Sequence, residues 1–378
     1  MRVAIDYTPA LRQGAGIGRY TRGLVAALAE IDRANSYILF SAGERPPADG
    51  GGAGWPANFT LRHTPLSARW LTIAWHRLHL PLPAELLTGA CDLFHAPDFV
   101  LPPLRRARGI VTVHDLSFLR LPECADPGLR AFLEQVVPRS VARATRVLAD
   151  SESTRRDLMA LLGVEGDKID VVTPGVEPRF RRVENVAQLT VVRARYRLPR
   201  RFILGIGTLE PRKNFVGLIR AYAQMRRTTG LEHALVIAGR PGWLYEEIFA
   251  EVERQGLTED VHFPGFVADA DLPALYSLAD LLAYPSLYEG FGIPVVEAMA
   301  CGTPVVAGNN SSLPEAAGTA ALLVDARDTD GLAKALAQAL TDTALRRQMI
   351  ERGYIQARRF TWQHSATDLL AAYRAAMA

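Results

Sequence analysis

Two glutamates eight positions apart, Glu289 and Glu297, lie in the run SLYEGFGIPVVEAMACGTPVV at residues 286–306, where they frame a turn suited to an anion. Gly290 and Gly292 let the backbone approach a ligand with no Cβ in the way, and Pro294 suits the first position of a helix. The N–H groups opening such a helix have no intrahelical partner and can bind a phosphate. A carboxylate repels phosphate, yet it readily accepts hydrogen bonds from sugar hydroxyls. A phosphate cradle with a hydroxyl acceptor on either side describes a nucleotide-sugar site.

Cations for a diphosphate stand elsewhere in the chain. GIGTLEPRKN, residues 205–214, follows an apolar run and brings Arg212 and Lys213 to the head of a helix. The helix dipole disfavours cations there, and lysine otherwise occurs only at Lys168 and Lys334, so Lys213 points to a function. Together the pair would stabilise the charge on a departing nucleoside diphosphate. Gly14, Gly16 and Gly18 follow the first apolar run and suit a loop closing over phosphate or sugar. They superficially match a dinucleotide fingerprint. An NAD-dependent oxidoreductase would need an acid after its second strand to hold the ribose, and here YILF runs into Ser41-Ala42-Gly43. His114 ends GIVTVHD and is a candidate contact for a sugar hydroxyl or leaving group, whereas His95, His76, His79 and His262 read as structural. No His/Asp/Glu cluster has metal-ligand spacing, so metal independence is expected, with Arg212, Lys213 and a helix dipole neutralising the diphosphate.

Short apolar runs alternating with amphipathic stretches predict parallel sheets with helical crossovers. One series of strands is expected at 3–6, 37–40, 92–95, 109–114, 145–149 and 169–172. A second is expected at 202–206, 234–238, 261–263, 281–284, 304–307 and 321–324. Polar, Arg-rich residues 178–200 read as a linker, 48–54 as a surface loop and 362–377 as a last helix. This gives an α/β fold of two doubly wound domains, 1–180 and 198–361, with ligands at the carboxyl ends of their strands and a cleft between them. A length of 378 residues with 49% apolar content supports two cores. A net charge of +3, without a dense basic block, argues against nucleic-acid binding. Cys91, Cys124 and Cys301 are too scattered for a disulfide framework or zinc site, which suits a reducing, cytoplasmic setting. No run is long enough to span a bilayer. The basic-aromatic stretch containing Arg69, Trp70, Trp75, His76 and Arg77 leaves three readings open: acceptor contact, peripheral contact with an anionic membrane, or a core-facing helix.

Together these motifs resemble the retaining glycosyltransferases of family 4, from the first strand to the final helix. The resemblance is most specific in Glu289-x₇-Glu297 and in SSLPEAAG at 311–318, and it implies the GT-B fold, two Rossmann-like domains with a C-terminal helix, 362–378, crossing back to the first. It implies that Glu289 contacts donor-sugar hydroxyls, that Gly290, Phe291, Gly292 and Ile293 hold sugar and diphosphate, and that Glu297 holds the ribose. Arg212 and Lys213 would be the phosphate cations, with Thr208 where some members carry a further arginine. PGFVADADL at 264–272 is similar to the base-recognising loop, implying contacts at Val267 and Leu272, while Gly14, Gly16 and His114 match the acceptor domain. The expected activity is hexose transfer with retention onto a sugar or lipid-linked glycan of cell-surface polysaccharide, at the inner face of the membrane if peripheral. GDP-mannose is the favoured donor, a UDP-hexose is the alternative, and no cofactor is required. A non-catalytic nucleotide-sugar-binding subunit is the competing class.

Overall fold

The computed structural model describes residues 1–14, 16–43 and 54–378. Of the expected 48–54 loop only Gly54 is among them, and Ala15 of the glycine loop is also outside. The chain forms two units, one of Met1–Leu119, Pro127–Gly175 and Thr361–Ala378, the other of Arg120–Asp126 and Val176–Phe360.

The first unit contains β1 (Arg2–Asp6), β2 (Ser36–Ala42), β3 (Phe59–Thr64), β4 (Leu93–Ala96), β5 (Arg108–Val113), β6 (Arg146–Ala149) and β7 (Ile169–Val171). They pair in parallel in the order β3-β2-β1-β4-β5-β6-β7. Strand side chains alternate between two cores, as a period of two requires. Val3, Ile5 and Ile110 join one core, Ala4, Val111 and Val113 the other. The C-terminal helix Trp362–Met377 belongs to this unit and lies against the helix Ile17–Ile31. Gly23 permits that approach, because a Cβ there would fall 2.3 Å from the Trp362 ring. A buried polar chain ties the same helix to the sheet: Tyr373 Oη is 2.8 Å from His95 Nδ1, and His95 Nε2 is 2.9 Å from Thr112 Oγ1. Burial, with the nearby His114 charge, pushes His95 down to about 3, so it stays neutral and structural.

The second unit contains β8 (Phe202–Ile206), β9 (Ala234–Ala238), β10 (Val261–Gly265), β11 (Leu281–Tyr284), β12 (Val305–Gly308) and β13 (Leu322–Val324). They form a parallel sheet in the order β10-β9-β8-β11-β12-β13. FILGI and ALVIA of β8 and β9 are almost wholly apolar, as strands covered on both faces must be. Residues 178–200 are more than a linker, since Val186–Arg195 is a helix capped by Asn185. It packs through buried Val192 into this unit's core, and Arg195 pairs with Asp271 at 2.6 Å. The short segment Arg120–Asp126 also belongs here, with the Trp243 indole donating to the Cys124 carbonyl at 2.7 Å.

Candidate functional site

In the second sheet the strand order reverses between β8 and β11, whose carboxyl ends carry the loops with the predicted cations and the first glutamate. Such a switch point opens a crevice outside the sheet edge. Two hydrogen bonds tie the loops together: Leu287 N–H donates to the Arg212 carbonyl at 2.8 Å, and the Arg212 guanidinium to the Tyr288 carbonyl at 2.8 Å. Asn214, left-handed at φ 55°, ends the Pro211–Lys213 turn and starts the helix Phe215–Thr229. Its side-chain amide holds the carbonyls of Pro285 and Ala326 at 3.2 and 2.6 Å.

These loops bring Glu289, Lys213 and Arg212 into direct contact. Lys213 Nζ lies 2.6 Å from one Glu289 oxygen and an Arg212 nitrogen 3.0 Å from the other. Arg212 also pairs with Glu210 at 2.7 Å, and Lys213 donates to the Tyr284 hydroxyl at 2.9 Å. Burial pushes Glu289 up, but Lys213 and Arg212 outweigh it and hold the carboxyl down at about 2. Lys213 is pushed down by burial and by Arg212, with Glu289 opposing. The result is a buried, charge-balanced cluster in which two cations are already aimed by two carboxylates.

Glu289 is also gripped through its backbone. Its N–H donates to Ser311 Oγ at 2.9 Å and its carbonyl accepts from Ser312 Oγ at 2.8 Å. The following helix is Ile293–Ala300, so Pro294 sits in its second position rather than the expected first. Gly292 caps it at φ 96°, where a Cβ would in addition lie 2.8 Å from Leu313. Gly290 and Phe291 are buried, the latter edge-on to Phe360 at 5.0 Å, while Ile293 is partly exposed. Glu297 is buried within the same helix and accepts from the Tyr276 hydroxyl at 2.9 Å.

At the base-like loop, Val267 and Leu272 are only 4% and 7% exposed and pack inward, so any ligand there meets their backbone and not their side chains. Phe266 beside them is 42% exposed and carries the Arg240 guanidinium 4.0 Å over its ring. Thr208 is exposed on the loop after β8.

Gly14, Gly16 and His114 belong to the first unit. Gly14 and Gly16 are exposed, and Arg22 pins their loop through the carbonyls of Ala10, Gln13 and Gly14 at 2.6, 2.9 and 3.1 Å. His114 follows β5, with Nδ1 2.9 Å from Asp150 and Nε2 2.8 Å from the Pro97 carbonyl. Burial opposes its charge, but Asp150 prevails and raises it to about 9, so both nitrogens carry protons and donate. His114 is therefore a buried cation in this structure, with neither ring nitrogen open to a ligand.

Sequence reasoning did not single out Glu210, Tyr284, Arg22 or the Phe266–Arg240 stack. SSLPEAAG did carry a signal, since Ser311 and Ser312 hold Glu289. Among the described residues no group of three or more His, Cys, Asp or Glu side chains is placed to hold a metal ion.

The chain is similar to known proteins along most of its length. The family described as glycosyltransferase family 4 matches residues 14–180, and the one described as glycosyl transferases group 1 matches 193–356. O-antigen chain mannosyltransferase B of Escherichia coli is 32% identical, across 99% of this chain and 100% of that protein. A D-inositol 3-phosphate glycosyltransferase of Nocardia farcinica is 35% identical over 63% of this chain and 54% of its own. Among solved structures, sucrose-phosphate synthase from Thermosynechococcus elongatus aligns at TM-score 0.74 and 21% identity, covering 99% and 98% of the two chains. WaaG, a glycosyltransferase involved in lipopolysaccharide biosynthesis, aligns at 0.70 and 18%, covering 98% of each. The two parallel-sheet units are those of the GT-B fold. With a full-length relative at 32% identity and both halves matched, this chain belongs to the group 1 glycosyltransferases of family 4.

Proposed function

We propose that this enzyme transfers mannose from GDP-mannose, with retention, to a sugar or lipid-linked glycan in cell-surface polysaccharide biosynthesis. It would work in the cytoplasm, peripherally at the inner face of the membrane. The observation that carries the reading is the Glu289–Lys213–Arg212 cluster at the switch point of the second sheet. The mannosyl donor is favoured by the mannosyltransferase relative from E. coli. Incoming diphosphate would draw Lys213 and Arg212 away from Glu289, freeing its carboxylate to accept from hexose hydroxyls. Glu210 would keep Arg212 aimed, and Tyr284 would do the same for Lys213. Gly290, Gly292 and the Ile293 helix terminus would cradle the phosphates, and Glu297 would exchange Tyr276 for the ribose. The base would meet the backbone at Val267 and Leu272, with the exposed Phe266–Arg240 stack beside it. Gly14, Gly16 and His114 would serve the acceptor side, His114 as a fixed positive charge.

In the transfer itself, the anomeric C1–O bond to the β-phosphate breaks as the acceptor oxygen bonds C1 on the same face. The acceptor proton passes to the leaving phosphate oxygen, giving GDP and a glycoside. Lys213 and Arg212 stabilise the developing charge, so no divalent ion is called for.

The test is incorporation of radiolabelled mannose from GDP-mannose into a lipid-linked glycan fraction, with EDTA present. Incorporation is expected. Labelling from a UDP-hexose alone would overturn the donor, and activity lost to EDTA but restored by Mg²⁺ would overturn metal independence. Nucleotide-sugar binding with no transfer to any acceptor fraction would favour the partner-subunit class instead.

A further inference from the structure

The first unit presents a surface that neither its cores nor the proposed chemistry uses. Residues 54–84 hold no aspartate or glutamate but include Arg62, Arg69 and Arg77. The helix Ala68–Thr72 runs into a single π-helical turn, Ile73–Arg77. Leu71 is buried and Trp75 is partly buried against the core, its indole donating to the Leu82 carbonyl at 2.8 Å, so this much of the stretch is the core-facing element one sequence reading offered. Other side chains of the stretch and its flanks are exposed. Trp70, Leu78 and Leu86 are 67%, 63% and 68% exposed, and Leu66, Leu80 and Leu82 are also exposed. From Arg77 to Leu82 six consecutive residues are exposed, three of them leucines. Arg12, Arg69 and Arg77 line a cavity of about 310 Å³ with Ala68, Thr72 and Ile73. Among the described residues no carboxylate pairs with any of these three arginines. Arg105, Arg106 and Arg139 are exposed on neighbouring segments: Glu85 accepts the backbone N–H groups of residues 105–107, and Arg139 reaches His79 at 3.0 Å.

Exposed apolar side chains in such number mark an interaction surface. Their interleaving with unpaired arginines, and the absence of carboxylates from residues 54–84, with Glu85 turned to the backbone of residues 105–107, fits the headgroup region of a negatively charged bilayer, where indole and leucine enter the acyl boundary and guanidinium meets phosphate. We propose that the first unit docks on an anionic bilayer through residues 66–86, with Trp70, Leu78, Leu80 and Leu82 inserting and the cavity of Arg12, Arg69 and Arg77 taking a lipid headgroup phosphate. This deepens the peripheral placement proposed above and rests on that reading only for which face of the membrane is met. The measurement requires neither nucleotide nor acceptor, so its failure is separable from failure of the glycosyl-transfer reading.

The test is co-sedimentation of the full chain with vesicles of phosphatidylcholine alone and of equimolar phosphatidylcholine and phosphatidylglycerol. Binding is expected to the anionic vesicles only and to weaken with salt. Arg69→Ala with Arg77→Ala should lower the partition coefficient about 30-fold, near fivefold for each charge removed. Leu78→Ser with Leu80→Ser and Leu82→Ser should lower it about tenfold or more. All five positions are exposed, and an unchanged melting curve checks that the variants fold. In the wild type, bromine-labelled acyl chains should quench a fluorescence component that Trp70→Phe removes. Equal binding to both vesicle types, no binding, or binding untouched by both sets of substitutions would overturn the proposal. So would a dimer by light scattering that the leucine substitutions dissociate, since a second copy would then cover this face.

Discussion

Glu289 bridges the two cations of the buried cluster in the second unit. Held down at about 2 by Lys213 and Arg212 against its own burial, it is ionised throughout the physiological range and ready to accept hydrogen bonds. Removing it should separate chemistry from nucleotide affinity. Glu289→Ala is expected to cut turnover by about 10²- to 10³-fold, the scale of losing one positioned polar contact in a transition state. The dissociation constant for GDP should change only a few-fold by titration calorimetry. Equal loss of both would mean that Glu289 holds nucleotide and not sugar. The same residue sets an acid limit. A carboxyl depressed from 4.5 to about 2 contributes stability that is full above 4.5 and disappears as pH falls towards 2. Urea unfolding from pH 6 downward should therefore show a smaller acid loss in Glu289→Gln than in wild type, and identical slopes would contradict the ion-pair account. Glu289 stood out by its place before Gly290 and Gly292, but Tyr284 and Glu210, the further partners of Lys213 and Arg212, did not. Tyr284 reads as the last apolar residue of a strand, and only the adjacency of β8 and β11 sets its hydroxyl against Lys213.

At the scale of elements, buried parallel strands were readable because both faces are covered and the apolar runs are unbroken, as in ALVIA at β9. β3 escaped notice for the opposite reason. It is an edge strand, and FTLRHT has four exposed residues between two buried ones, so it shows no apolar run. The helix Val186–Arg195 was hidden among arginines, with Val192 its only buried residue. Two element-level predictions follow from packing in the first unit. Gly23→Ala would push a methyl into the Trp362 ring and should destabilise by about 1–3 kcal/mol, read as a lower melting temperature of the transition that includes the C-terminal helix. An unchanged melting temperature would mean that the helix is not held there. His114, raised from 6.5 to about 9, contributes stability that is full below 6.5 and is lost as pH rises through 9. Melting temperature should fall across that window in wild type and less so in Asp150→Asn, where the imidazolium has lost its carboxylate; parallel profiles would contradict a charged His114.

For the whole molecule, two units with separate cores divide the proposed labour. Every residue proposed to hold the donor lies in the second unit, whereas Gly14, Gly16, His114 and the basic-aromatic surface lie in the first. The donor base is the least legible feature of the sequence. Val267 and Leu272 turn their side chains into the core, so the base would be read by backbone and by the Phe266–Arg240 stack. The most direct test of the central claim is a thermal-shift panel of GDP, GDP-mannose, UDP, UDP-glucose and NAD with EDTA present, run on wild type and Lys213→Met. At about 100 times its dissociation constant a ligand adds about 2.7 kcal/mol, a rise of a few degrees for units of this size. A rise with the guanine nucleotides, reduced or lost in Lys213→Met, is the predicted result. A response to NAD alone, or a guanine-nucleotide shift as large in Lys213→Met as in wild type, would contradict it.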